Sequence, residues 1–325
     1  MFHLLVVTAA TAAATSCTAT IVAITADLTD SHTNAFVHLD PSNSNVTTIR
    51  KPFAAWHTNE GAFDVSRNEL YISTRLSASS ALSIVKYDGI TGAVASTAAL
   101  ADESIRSLYA VHYDSHLRQL VCILEHNETV AVGLLHPRNG TSTRIASLDD
   151  FVPSPRLYEF EVGASAYDQN GHAMHQLLIA PPNAKGAPPG GGHVLWRSSL
   201  REPGEGSLTP VSLLTPYDLL TATVSWNGAL YGLLQNFTIV RIVVATGATE
   251  LVSSVPVLSP PVQNPQVPRH ATLCGERMLF TVTPMLPKRT YPQGSLLVSV
   301  SLHDGSATAV PVEAPLMFAH ALSTP

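Results

Sequence analysis

Histidine is the residue type best placed to do chemistry in this chain. Fourteen are present, and His57, His112, His270 and His320 fall in or beside short runs of small and apolar residues that read as β-strands. Imidazoles converging from several strands can hold a transition metal or, once protonated, a small anion. The plainer reading of a strand histidine is a satisfied hydrogen bond, and the chain has no His-x-His, His-Glu-x-x-His or Cys-x-x-Cys spacing to argue otherwise. A second set stands just ahead of strand-like runs: Trp56, His57, Asn59 and Glu60, then Tyr158-Glu159, then Tyr217-Asp218, then Arg269-His270, with Asp102-Glu103 at a comparable place. Carboxylate and amide oxygens brought together from Asn59, Glu60, Glu159 and Asp218 would suit Ca²⁺, which takes six to eight oxygens. The aromatics Trp56, Tyr158 and Tyr217 would suit a sugar face, or would simply pack a rim. Nucleophile-elbow, phosphate-loop and dinucleotide fingerprints do not occur in the sequence.

Whether such residues meet depends on the elements carrying them, and those elements repeat. An aromatic residue followed by Asp or Asn recurs at intervals of about fifty residues, as Phe63-Asp64, Tyr113-Asp114, Tyr167-Asp168 and Trp226-Asn227. Each pair precedes an apolar run, the clearest being Leu120-Val121-Cys122-Ile123-Leu124 and Leu230-Tyr231-Gly232-Leu233-Leu234. A third run and a hairpin follow, as in Ser83 to Val94 and Val240 to Gly247, with poorer turns in Phe36 to Asn43 and Leu297 to Gly305. Gly92, Gly140, Gly247 and Gly305 would supply the positive φ of these hairpins. A strand-built repeat of this length points to propeller blades.

The hairpin unit of strand, Asp, two residues, Thr-Gly and strand resembles that of the YVTN-like and quinoprotein-like propellers. WD, kelch double-glycine and sialidase Asp-box signatures are missing. The resemblance implies an architecture spanning nearly the whole chain. Six units can be counted. Five begin near Phe53, Ser104, Tyr158, Tyr217 and Pro268, and the sixth is split between the chain ends, with Ile21–Thr25, Phe36–Leu39 and Val46–Ile49 at one end and Leu316–Leu322 at the other. The expected fold is therefore all-β: a six-bladed β-propeller over 20–325, its ring closed by the C-terminal strand completing the first blade. Closure of that kind removes two open sheet edges; a seven-bladed ring with one degenerate blade and an open solenoid are the alternatives. The aromatic-Asp pairs then become scaffold, the ring packing between blades and the carboxylate accepting turn N–H groups. Trp56, His57, Asn59, Glu60, Tyr158, Glu159, Tyr217, Asp218 and His270 become candidates for one mouth of the channel. Ala180–Gly192 and Val255–Pro268, rich in Pro and Gly, read as an exposed excursion and a polyproline-like connector.

Only 13% of residues are charged and the net charge is -6, which leaves no basic footprint for nucleic acid. Residues 1–19 read as a signal peptide, apolar from Leu4 to Ala14 and followed by small residues up to a cleavage point after Ala19, although no Lys or Arg precedes the apolar run. Acylation of Cys17 is disfavoured because Ala14 stands where such signals carry Leu. No later stretch is long and apolar enough to span a membrane. Sequons at Asn45, Asn127, Asn139 and Asn236 are candidate glycosylation sites. Loss of Cys17 with the leader would leave Cys122 and Cys274 in the third and sixth units, too far apart to bond, hence two buried free thiols. The sum is a secreted, monomeric binding module for a protein, carbohydrate or small-molecule ligand, with no resident cofactor. The alternative is a Ca²⁺-dependent hydrolase similar to the gluconolactonase and paraoxonase propellers, a likeness that implies Glu, Asn and Asp ligands at the channel.

Overall fold

The computed structural model describes residues 21–25, 34–40, 46–53, 61–75, 81–126, 129–150, 159–182, 188–213, 220–254, 265–266, 271–284, 295–312 and 316–321. Their strands form six antiparallel sheets in chain order. The first holds β1 (Ile21–Thr25), β2 (Asn34–Leu39) and β3 (Val46–Phe53), and the second β4 (Gly61–Asp64), β5 (Glu69–Arg75), β6 (Leu82–Asp88) and β7 (Val94–Ala99). The third holds β8 (Ser107–Asp114), β9 (Gln119–Glu125), β10 (Val130–Leu135) and β11 (Ser142–Ser147), the fourth β12 (Glu159–Asp168), β13 (Ala173–Ala180), β14 (Gly192–Ser199) and β15 (Gly206–Pro210). The fifth holds β16 (Leu220–Trp226), β17 (Ala229–Leu234), β18 (Thr238–Ile242) and β19 (Thr249–Ser254). The sixth holds β20 (Pro265–Gln266), β21 (Ala271–Cys274), β22 (Arg277–Pro284), β23 (Ser295–Ser301) and β24 (Ala307–Val312), after which β25 (Leu316–Ala321) returns to the first sheet. There it pairs with β1, Ile21 opposite Ala321.

The first strands of successive sheets lie side by side, β4 on β8, β8 on β12, β12 on β16, β16 on β21 and β21 on β25. That arrangement explains the unbroken apolar runs of the second strands. In β9, Leu120, Cys122 and Leu124 enter the core shared with the second sheet, while Val121 and Ile123 enter the core shared with the fourth. In β17, Leu230 and Leu234 face the fourth sheet, and Tyr231 and Leu233 the sixth. A strand buried on both faces needs apolar residues at every position rather than at alternate ones, and each such side chain contributes roughly 1.5–3 kcal/mol. Fourth strands such as β7, β11, β19 and β24 are largely exposed, and their Ser, Thr and Ala content follows from that.

The third-to-fourth-strand hairpins reach back to the preceding sheet. Ala101 N–H donates to Gly140 O at 3.0 Å, Ser212 N–H to Gly247 O at 2.9 Å and Ser253 Oγ–H to Gly305 O at 2.7 Å. Between the first and second sheets, His38 Nε2 meets Gly89 O at 2.8 Å, and the Phe36 and Tyr87 rings lie 6.4 Å apart. Gly140 and Gly247 both have φ of +70°, and a Cβ there would stand 1.9 and 1.8 Å from the carbonyl oxygens of Ala99 and Pro210. Positive φ and this close approach both demand glycine.

Three expectations are corrected here. Ala180 and Gly192, the ends of the supposed excursion, pair with each other as the last rung between β13 and β14; proline and glycine dominate only the loop beyond. Within the supposed connector, Pro265–Gln266 pairs with Thr283–Pro284 as an edge strand, a position where proline's missing N–H costs no ladder bond. Cys274 is disulfide-bonded, while Cys122 is a free, buried thiol whose Sγ lies 3.9 Å from Gly133 O. Separation around the sheets excludes a bond between those two cysteines and leaves other partners open. Among the described residues, no helix is long and apolar enough to cross a membrane.

Candidate functional site

A polar cluster lies on the seam between the third and fourth sheets, and the backbone prepares it. Both first strands are interrupted by bulges, β8 between Tyr109 and His112 and β12 between Phe160 and Ser165, and Ala110 takes a φ of +53°. Bulges re-aim side chains next to functional surfaces. Past them, His112 Nε2 meets Ser165 Oγ at 3.1 Å across the seam, and the His112 and Tyr167 rings lie 6.5 Å apart.

The aromatic-Asp pairs build the next layer. Asp114 is completely buried, and its Oδ1 accepts the His116 and Leu117 N–H groups at 2.8 and 2.9 Å. Its Oδ2 accepts the Tyr167 O–H from the next sheet and lies 3.6 Å from His172 Nδ1. Burial, then the Asp114 carboxylate, pushes the Tyr167 phenol well above its ordinary range, so it remains a donor. Asp64 and Asp168 accept turn N–H groups in the same way, from Ser66 at 3.0 Å and Asn170 at 3.2 Å. The scaffold reading therefore holds for the three Asp pairs, and Asp114 also stitches two sheets together.

The first-to-second-strand turns complete the cluster. His172 has a φ of +47°, at the turn position held by Asn68 and Arg118 in the second and third sheets. The His116 and His172 rings lie 5.9 Å apart, tilted by 51°, and Gln169 Nε2 donates to Ser115 Oγ. Imidazoles beside a buried carboxylate can accept protons or present N–H donors to a ligand. Two more histidines, His175 and His193, are buried in the fourth sheet. Burial, then the Arg197 charge, lowers the His175 pKa to about 4, and burial lowers that of His193.

The sequence candidates fall elsewhere. Trp56, His57, Asn59, Glu60, Tyr158, Tyr217, Asp218 and His270 lie outside the described residues. Glu159 opens β12, its backbone opposite Ile179, with its side chain outside the described set. Of the strand histidines, His112 lies in β8 and His320 in β25 opposite Val22. Asn139 and Asn236 are exposed in turns, their Oδ1 atoms accepting from Thr141 and Thr238 N–H at 3.1 and 2.9 Å; Asn45 and Asn127 lie outside the described residues. His116 and His172 were not singled out by sequence. The available signal was their place, two and four residues after Asp114 and Asp168 in the repeat. Among the described residues, no group of three or more His, Cys, Asp or Glu side chains is arranged to hold a metal ion.

No family model matches the chain, and no curated protein matches it in sequence. Solved structures do match in fold. TolB from Acinetobacter baumannii aligns at 10% identity and a TM-score of 0.57 over 93% of this chain, which spans 66% of that one, just under two thirds. The structure of a nidogen/laminin complex aligns at 9% identity and 0.58 over 93% of this chain and 97% of the other. The Pseudomonas aeruginosa periplasmic gluconolactonase aligns at 13% identity and 0.54 over 94% and 99%. At these identities the likeness is one of fold. Together with sheets set side by side along their first strands, it makes the chain an all-β propeller.

Proposed function

We propose that the chain is a secreted six-bladed β-propeller that works as a binding module for a protein partner. In this reading the six sheets are the blades, and pairing of β25 with β1 closes the ring. The observation that carries the binding role is the distribution of exposed apolar side chains. Val65, Ile90 and Leu117, exposed at 53, 56 and 44%, lie in first-to-second or third-to-fourth-strand turns of the second and third sheets. In an antiparallel sheet those turns share one end. Gly89 N–H donates to Asn68 O at 2.6 Å, tying the Val65 and Ile90 turns together, and His116 stands beside Leu117. Clustered apolar surface rimmed by polar groups marks interaction sites. A propeller in a nidogen/laminin complex is consistent with that use of the fold, by analogy alone. The disulfide at Cys274 supports an oxidising compartment.

The test is retention of proteins from the medium of producing cells on the immobilised chain. Val65→Asp combined with Leu117→Asp, with unchanged far-UV circular dichroism, is expected to reduce retention about tenfold, as loss of a hot spot does. Equal retention by the variant overturns this surface.

Likeness to a gluconolactonase keeps a second reading in view, a Ca²⁺-dependent hydrolase. Its ligands would be Asn59, Glu60, Glu159 and Asp218, whose side chains lie outside the described residues. Calorimetric titration with Ca²⁺ and Zn²⁺ separates the two: heat of binding together with lactone turnover lost in Glu159→Gln or Asp218→Asn favours the hydrolase, and the absence of metal binding to folded protein eliminates it.

A further inference from the structure

We infer that His116 and His172 form a two-histidine site for a first-row divalent cation of the Zn²⁺ or Cu²⁺ kind, bridging the third and fourth sheets. The two rings belong to the first-to-second-strand turns of those sheets, and their centres lie 5.9 Å apart with a tilt of 51°. With metal–nitrogen bonds of about 2.1 Å, each ring centre stands roughly 3.2 Å from a bound ion, so two imidazoles on one ion have centres roughly 5 to 6.4 Å apart. The observed spacing falls inside that range.

Both backbones are held in place by their own turns. His116 N–H donates to Asp114 Oδ1 at 2.8 Å, and its neighbour Ser115 accepts a hydrogen bond from Gln169 of the other turn. His172 sits at a φ of +47°, and its carbonyl accepts the Leu200 N–H at 2.8 Å. A ligand pair fixed in this way has less freedom to lose on taking up an ion.

The electrostatics favour a cation. His172 Nδ1 lies 3.6 Å from Oδ2 of the completely buried Asp114. A carboxylate behind one ring nitrogen of a metal-ligating histidine orients the ring and makes the other nitrogen the stronger ligand. Nε2 of His172 is therefore the ligating atom. Asp168, which stands at the head of the His172 turn and accepts the Asn170 N–H, adds a second negative charge to the pair of turns. Imidazole nitrogens suit Zn²⁺ and Cu²⁺, whereas Ca²⁺ takes oxygens. The chain supplies two ligands, and the remaining positions go to water or to a group of a bound molecule. His116 is exposed and the His172 side chain is 20% exposed, so an ion reaches the pair from solvent. The site adjoins Leu117 of the proposed docking surface and does not depend on it.

The experiment is calorimetric titration of the folded, untagged chain with Zn²⁺, with the imidazole NMR signals followed in parallel. One ion per chain is expected, the His116 and His172 signals moving together, with a rise in Tm because an ion held by two sheets binds the folded state alone. His116→Gln and His172→Gln should each weaken binding at least about tenfold and remove the rise in Tm, and Asp114→Asn should weaken it about tenfold through loss of the carboxylate behind His172. His116 is exposed, so His116→Gln decides the matter even where Asp114→Asn does not fold. Absence of Zn²⁺ binding, or unchanged affinity in His116→Gln, overturns the site. Binding kept in both histidine variants and lost in Glu159→Gln or Asp218→Asn also overturns it, and assigns the ion to the hydrolase reading. Failure of the chain to retain any protein from the medium, with Zn²⁺ binding and its loss in His116→Gln both seen, counts against the docking surface and upholds the site.

Discussion

Two seams of the propeller do the same mechanical job with different materials. Between the fifth and sixth sheets the first strands meet through Ala222, Val224, Ala271 and Leu273, backed by Met278, Phe280 and Val298. Between the third and fourth, an apolar core around Trp196 and Met174 is topped by His112 with Ser165, Tyr167 with Asp114, and the neighbouring rings of His116 and His172. Apolar packing is tolerant of small displacements, whereas a buried carboxylate fixes the position of every donor it accepts from. The polar seam is therefore the one built to hold a particular geometry, at a site where burial alone would have served for stability.

The largest effect should come from the apolar seam. Phe280 is 1% exposed, and Phe280→Ala is expected to cost about 4 kcal/mol in urea unfolding, through lost burial and the cavity left behind. Asp114→Ala should follow at roughly 3 kcal/mol, since it leaves the turn N–H groups of His116 and Leu117 and the Tyr167 hydroxyl without their acceptor. The contrast lies in what else changes. Asp114→Ala should broaden the His116 and His172 imidazole resonances in NMR spectra, and Phe280→Ala should leave them in place. Equal disturbance by both variants would break the distinction between the seams.

Acid should separate the two regions next. The His175 pKa is about 4 in the folded protein, lowered first by burial and then by Arg197, against 6.5 as its ordinary value. As pH falls below that ordinary value the unfolded chain takes up a proton that the folded chain refuses, so the contribution is complete above it and is lost on acidification. Between about pH 7.5 and pH 5 the loss should be about 2 kcal/mol, with His193 acting in the same direction. Hydrogen exchange at about pH 5 should consequently rise in β13 and β14 before β22 and β23; the reverse order would contradict the placement of the buried imidazoles. His175→Leu should flatten the acid limb.

How much of this was legible follows from what repeats. Doubly buried second strands announce themselves as unbroken runs such as Leu120 to Leu124, and Gly140 and Gly247 mark the third-to-fourth-strand hairpins because no other residue fits there. Pair geometry was legible too, since an Asp after an aromatic at a strand end accepts the turn N–H groups in three sheets. The seam cluster was not, because it depends on bulges that shift His112 and Ser165 into register across two sheets, and no spacing along the chain encodes a shift between strands. Nor could one sequence tell that Asp114 would receive the hydroxyl of Tyr167, although the same repeat position in the fifth sheet is Trp226, which has no hydroxyl to give.

That substitution supplies the smallest and most discriminating test. Tyr167→Phe removes one donor from Asp114 while the His116 and Leu117 N–H groups continue to satisfy Oδ1, so the loss should be limited to one charge-assisted hydrogen bond, about 1.5 kcal/mol. Tyr231, in the fifth sheet, contributes to the apolar seam through its ring, 6.1 Å from Trp226 and 7% exposed. Tyr231→Phe keeps that ring and should change stability by no more than about 0.5 kcal/mol. A double-mutant cycle of Tyr167→Phe with Asp114→Ala should then show coupling of about 1.5 kcal/mol, Tyr167→Phe costing little once Asp114 is replaced, because both remove the same bond. Additive losses would mean that the hydroxyl and the carboxylate stabilise the seam separately, and that its polarity is incidental to how the third and fourth sheets are joined.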